Sequence, residues 1–119
     1  MFPSSMLANL VVKGSLKNIP EGFELRLRNN IDSGTITGMG PLAVDDTPIP
    51  PAQIVLKAGD KEMHGDQLSP RTPLPVRVMT EIHVKVEGEA LAAGPHKIAF
   101  QIMTAEAGRL QFSVNETIA

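Results

Sequence analysis

The stretch Val78-Met79-Thr80-Glu81-Ile82-His83-Val84-Lys85-Val86-Glu87 decides the fold class. Val78, Thr80, Ile82, Val84 and Val86 alternate with Met79, Glu81, His83, Lys85 and Glu87. A period of two places one set on a buried face and the other in water, as a half-buried antiparallel strand requires. On a helix the same apolar residues would scatter around the whole cylinder. Three other stretches repeat the pattern. Phe23, Leu25 and Leu27 oppose Glu24, Arg26 and Arg28; Ile98, Phe100 and Ile102 oppose Lys97, Ala99, Gln101 and Met103; Leu110, Phe112 and Val114 oppose Gln111, Ser113 and Asn115.

Outward from these strands, ten glycines and ten prolines punctuate the chain. The longest stretches free of both are Val76–Glu87 and His96–Ala107. Each breaker inside a helix costs about 1 kcal/mol (Gly) to 3 kcal/mol (Pro), so a helical bundle is excluded. Ile54–Lys57 and Lys61–His64 flank Ala58-Gly59-Asp60, a hairpin signal, and Val44-Asp45-Asp46-Thr47-Pro48 reads as a second hairpin turn. Leu7–Lys13 reads as a weak strand, and Thr35–Asp45 as one interrupted by a bulge or bend at Gly38, Gly40 and Pro41. Gln67–Pro75, with Pro70, Pro73 and Pro75, reads as a surface loop or a crossover between sheets. The expected architecture is an all-β antiparallel sandwich, jelly-roll or Greek-key-like, with about eight short strands. The expected organisation is a flexible terminus over 1–5 and a single β-sandwich domain over 6–119.

Composition bounds the function. Eleven Lys and Arg against thirteen Asp and Glu give a net charge of −2, which argues against a nucleic-acid binder that neutralises phosphates. Without cysteine there are no disulfides, thiolate metal sites or cysteine nucleophiles. No apolar run has the length of a membrane span, and Met1–Ser5 does not read as a signal peptide, so a cytoplasmic protein is expected. Tyrosine and tryptophan are absent, which leaves little material for the aromatic platforms of sugar or single-strand nucleic-acid sites. His64, His83 and His96 show no metal-ligand spacing. His83 reads as a solvated side chain on a polar strand face, and His96, after Gly94-Pro95, as a turn cap. Asp45-Asp46 and Glu87/Glu89 sit in turn contexts, where carboxylates lack the pocket that separates the pKa values of an acid and a base. No serine occupies a Gly-x-Ser-x-Gly elbow. No catalytic residue, cofactor or metal site is expected in this chain. Arg26 and Arg28 share a strand face, and Arg71 lies in the proline-rich loop. These arginines have the chemistry to clamp a partner's carboxylate, although a solvated face is the commoner use of such residues.

The order of signals resembles one known family. Gly22-Phe23-Glu24-Leu25-Arg26-Leu27-Arg28 leads to a turn at Asp32-Ser33-Gly34. Ile36 to Val44 then runs into Asp45-Asp46-Thr47-Pro48-Ile49-Pro50. Later comes Ile82-x-Val84-x-Val86-x-Gly88-x-x-Leu91-x-x-Gly94-x-His96-x-Ile98. Over Leu10 to Thr104 this is similar to the small β-subunit of bacterial C-glycoside deglycosidases. The resemblance implies a non-catalytic, jelly-roll auxiliary subunit in carbohydrate metabolism. It would assemble with a larger metal-dependent barrel subunit that cleaves the carbon–carbon bond between sugar and aglycone, the metal lying only in that partner. Arg26, Arg28, Asp32 and Arg71 are then the candidate partner-interface residues. Two other readings remain open: a stand-alone small-molecule-binding sandwich using His64, His83 or His96, and a homo-oligomeric structural module pairing through the uncharged edge Leu7–Val12.

Overall fold

The computed structural model describes residues 4–119. Two antiparallel sheets pack face to face. The first has the order β1 (Lys17–Ile19), β2 (Gly22–Arg28), β9 (Glu81–Glu87), β6 (Ile54–Ala58) and β7 (Lys61–His64). The second is built on the long hairpin of β10 (Gly94–Thr104) and β11 (Gly108–Ile118). On its other side β10 pairs with β3 (Gly34–Met39) and β4 (Leu42–Val44), flanked in turn by β8 (Leu74–Val76) and β5 (Thr47–Ile49). The sandwich expected from the alternation is therefore the fold, with eleven strands among the described residues rather than about eight. The additional strands are three-residue pieces that carry too few residues to display a period.

Register turns the alternating residues into a core. Leu25, Val84 and Leu56 lie side by side across β2, β9 and β6, with Phe23, Val86 and Ile54 on one flank and Leu27, Ile82 and Ala58 on the other. All nine are buried. Facing them across the interlayer space are Ile36, Leu42, Leu74, Ile98 and Ile102, together with the cross-strand pair Phe100 and Phe112. Those two rings stack with centroids 5.0 Å apart, a favoured aromatic separation.

The turns follow their residues. Val44 pairs with Thr47 across Asp45 and Asp46, which have φ of 50° and 69°. Positive φ at both central positions is the geometry of a two-residue type I′ hairpin, and Asp tolerates it better than most side chains. β3 and β4 form one long strand broken at Gly40-Pro41, where Gly40 N–H still donates to the Gln101 carbonyl at 2.9 Å. This is the bend that the glycines and Pro41 announce. The proline-rich segment leads from the first sheet to β8, an edge strand of the second. Pro75 is tolerated there because an edge leaves one row of amides unpaired.

Two strand expectations fail. Leu7–Lys13 is not a strand: a one-turn helix, α1 (Ser4–Ala8), packs against β11, and the chain then runs along β2. Leu7 and Val11 are both buried while Asn9 between them is exposed, which a strand face of period two would not allow. Arg28 N–H donates to the Leu10 carbonyl at 2.7 Å and Val12 N–H to the Arg26 carbonyl at 2.9 Å. The segment proposed as an exposed pairing edge thus covers part of the β2 edge. The expectation for Met1–Ser5 falls partly outside the described residues, and Ser4 and Ser5 open α1. Second, β9 starts at Glu81 rather than Val78, because its partner β2 ends at Arg28, opposite Glu81. The Val78 to Thr80 alternation continues beyond Arg28 and Glu81, the last strand-to-strand pair. Val78 to Thr80 form a turn in which Thr80 N–H donates to the Arg77 carbonyl at 3.1 Å and Met79 has φ of 68°.

Candidate functional site

The residues singled out from sequence do not form one cluster. Arg26 and Arg28 project from the outer face of the first sheet and both bind Glu81, at 3.2 and 2.8 Å. Register explains it: Arg28 lies directly opposite Glu81 on β9, and Arg26 is two residues away on the same face. The carboxylate they clasp is the chain's own. The Arg28 hydrogen bond, helped by the charge of Arg26, holds the Glu81 carboxyl below its usual range. Arg71 is exposed in the tight turn between Ser69 and Thr72. Asp32 accepts the Ser33 N–H at 2.8 Å in the turn leading to β3.

The histidines are dispersed. His83 is exposed on the outer face of β9, opposite Arg26 and Lys57. His64 stands 3.5 Å from Glu87 on the same sheet. His96 belongs to the other sheet and has the tightest surroundings. Its Nδ1 is 2.7 Å from Asp45 Oδ2, and its Nε2 is 2.7 Å from the Ala92 carbonyl. Asp45 Oδ1 accepts the Lys97 N–H at 2.9 Å, which ties the β4–β5 hairpin tip to the start of β10. Both ring partners are acceptors, so the doubly protonated imidazolium suits the site best. The Ala92 carbonyl and the Asp45 carboxylate accordingly raise the His96 pKa. The Lys97 amide and His96 lower that of Asp45.

A pH dependence follows from these directions. His96 has its pKa raised on folding, so its contribution is complete below the ordinary histidine value of about 6.5 and is lost as pH climbs through the folded value. Asp45 has its pKa lowered, so its contribution is present above the ordinary aspartate value of about 3.9 and is lost on acidification. The clasp is therefore strongest in mildly acidic solution. The melting temperature should fall on moving from about pH 6 to pH 8.5, and His96→Gln should reduce that slope. A slope unchanged in the variant would show that the clasp does not couple to folding.

A concave feature with an apolar lining lies between the sheets at one end of the sandwich. It is a cavity of about 260 Å³. Leu7, Leu10, Leu27, Ile31, Ile82 and Leu110 supply much of its wall, and Arg28, Asp32, Ser33, Thr35 and Glu106 stand at its rim. Two of the four residues chosen from sequence, Arg28 and Asp32, thus meet here, while Arg26 and Arg71 do not. Asn29 organises this end. Its side-chain amide donates to the Asp32 carbonyl at 2.7 Å and the Val76 carbonyl at 3.2 Å, and its carbonyl oxygen accepts the Ile31 N–H at 3.3 Å. Its backbone amide donates to the Thr80 carbonyl at 3.0 Å, and its backbone carbonyl accepts the Met79 N–H. Glu106 accepts from Thr35 through the backbone N–H at 2.8 Å and the hydroxyl at 2.9 Å, the backbone amide being the main cause of its lowered pKa. Beside this end stand Val78, 46% exposed, and Met79, 63% exposed. Neither was singled out from sequence, because both were read into a strand. The positive φ of Met79 has no sequence signal, since that conformation ordinarily marks Gly, Asn or Asp.

Among the described residues no group of three or more His, Asp or Glu side chains is arranged to hold a metal ion. No helix among them is long and apolar enough to cross a membrane. No curated protein matches the chain. A family model described as hydroxymethylglutaryl-CoA reductase, N-terminal domain, matches residues 6–119. This overturns the resemblance to the C-glycoside deglycosidase small subunit. The residues behind that resemblance do generic work for a sandwich. Gly94 and His96 start a strand and clasp a neighbouring hairpin, and Asp45-Asp46 make a two-residue turn. On the match across nearly its whole length, the chain belongs to the hydroxymethylglutaryl-CoA reductase N-terminal domain family.

Proposed function

We propose that the chain is a non-catalytic accessory module that works bound to the catalytic part of a hydroxymethylglutaryl-CoA reductase. On this reading the reaction, and any metal or cofactor it uses, belongs to that partner. The family description supports the reading, because it names one domain of a larger enzyme. The ion pairs support it too: Glu81 with its arginines and Asp45 with His96 serve to join strands and hairpins.

The observation that carries the proposal is Met79. A bulky side chain in left-handed backbone is uncommon and strained. The fold maintains it through the Asn29 carbonyl and holds the side chain out in water beside Val78, which is also exposed. Asn in that position would relax the backbone. A methionine there suits contact with another protein, since its flexible thioether adapts to apolar surfaces.

The test uses the purified chain and the catalytic domain of the cognate reductase. Light scattering after gel filtration should show a complex of the two. The double variant Val78→Asp, Met79→Asn should weaken binding about tenfold or more with no loss of melting temperature. Failure to associate at about 100 μM, in the weak-binding range, would contradict the proposal. So would reduction of hydroxymethylglutaryl-CoA by the isolated chain. A self-associating chain that ignores the reductase would favour the structural module instead.

A further inference from the structure

We propose that the intersheet cavity is a binding site for a small non-anionic ligand with an aliphatic body and one hydrogen-bond acceptor. The inference goes beyond the accessory role and is independent of it.

Size, wall and rim each constrain the ligand. A volume of about 260 Å³ corresponds to roughly eight or nine water-sized groups. The wall formed by Leu7, Leu10, Leu27, Ile31, Ile82 and Leu110 offers water no hydrogen bonds. A hydrocarbon body is the better occupant. Among the described lining residues the only cation is Arg28, whose guanidinium is engaged by Glu81 at 2.8 Å, a carboxylate it shares with Arg26. Asp32 and Glu106 stand at the same rim. An anionic head group would meet two carboxylates at a rim of net negative charge, so the occupant is not an anion.

The rim hydroxyls fix the polar end. Thr35 Oγ1 donates to Glu106 at 2.9 Å, and Thr104 Oγ1 donates to the Gly108 carbonyl at 2.9 Å. Ser33 Oγ accepts the Val78 N–H at 3.1 Å, and among the described residues nothing receives its proton. Ser33 is therefore the donor for a carbonyl, ether or alcohol oxygen on the ligand.

The full chain is titrated with the neutral fluorophore N-phenyl-1-naphthylamine, then with 2-octanone, 1-octanol and octanoate as competitors. The fluorophore should bind one to one and brighten. The ketone and alcohol should displace it at roughly tenfold lower concentration than octanoate. Ile31→Trp and Leu110→Trp, at half-buried positions, should each fill the cavity and weaken fluorophore binding about tenfold. Ser33→Ala, on the surface, should weaken 2-octanone several-fold and leave the fluorophore unchanged, which keeps the test decisive if a tryptophan variant does not fold. Absence of fluorophore binding by the wild-type chain would overturn the proposal. So would octanoate competing as well as the ketone, wild-type affinity in folded tryptophan variants, or wild-type ketone affinity in Ser33→Ala. Fluorophore binding that appears only in a dimeric fraction would likewise overturn it, by assigning the cavity to a second copy.

Discussion

Replacing Gly22 with alanine is expected to destabilise the fold by about 3 kcal/mol or more. Gly22 begins β2, buried between β1 and β9, where it pairs with Ile19 and Glu87. A Cβ at this position would overlap the Val86 carbonyl oxygen and approach the Gly88 amide nitrogen at 3.0 Å. Those are backbone atoms of the central strand β9 and of the turn after it, so neither can swing aside as a side-chain tip would. The φ of 155° adds strain for any residue with a Cβ. Gly59→Ala provides the comparison. Its φ of 60° is also unfavourable, but nothing lies within 4 Å of the added carbon. It should cost only about 1 kcal/mol, the ordinary penalty for left-handed backbone. Urea unfolding of the two variants checks the difference, and equal losses would show that the approach to Val86 does not matter.

Leu25→Ala is the second large effect, at about 3–4 kcal/mol. Leu25 is 0% exposed, in the row it shares with Val84 and Leu56. Both neighbours are held by strand register, so the layer cannot collapse into the void, and the cavity penalty adds to the lost burial. Against a total stability of about 5–15 kcal/mol for a domain, this removes a large share of the margin. The melting temperature should fall by about 10 °C or more. Val78→Ala removes apolar atoms that are already 46% exposed and should change stability by about 0.5 kcal/mol or less. A Leu25→Ala loss no larger than that of Val78→Ala would mean that the central row does not carry the core.

The parts of the fold that could be read from sequence are those where one strand carries its own signal. Phe23, Leu25 and Leu27, or Ile98, Phe100 and Ile102, declare a buried face without help from any other segment. Asp45-Asp46 and Gly59-Asp60 declare their turns in the same local way. The candidate site is different, because its meaning lies in partners distant along the chain. Arg26 and Arg28 have the look of a clamp for a foreign carboxylate, but the strand register places Glu81 opposite Arg28 and within reach of Arg26. His96 was legible as a turn residue, yet Asp45, its partner, is 51 positions away. The cavity draws its wall from positions as far apart as Leu7 and Leu110. No window of sequence displays such a space. Arg28 and Asp32 were found for a different reason from the one that places them at its rim. Met79 is hidden because the alternation extends beyond the start of β9 at Glu81. The resemblance to the deglycosidase small subunit has the same weakness: a glycine-containing turn into a histidine at a strand start is a solution open to any sandwich.

The accessory role is tested most directly by amide hydrogen exchange on the chain, alone and bound to the cognate reductase catalytic domain, with no small ligand added. The turn containing Val78 and Met79 and the facing Asn29–Ser33 segment should exchange more slowly in the complex, while the outer face around His83 and Lys57 stays unchanged. Protection of that charged face with none at Val78 and Met79, or no protection anywhere at saturating catalytic domain, would contradict it.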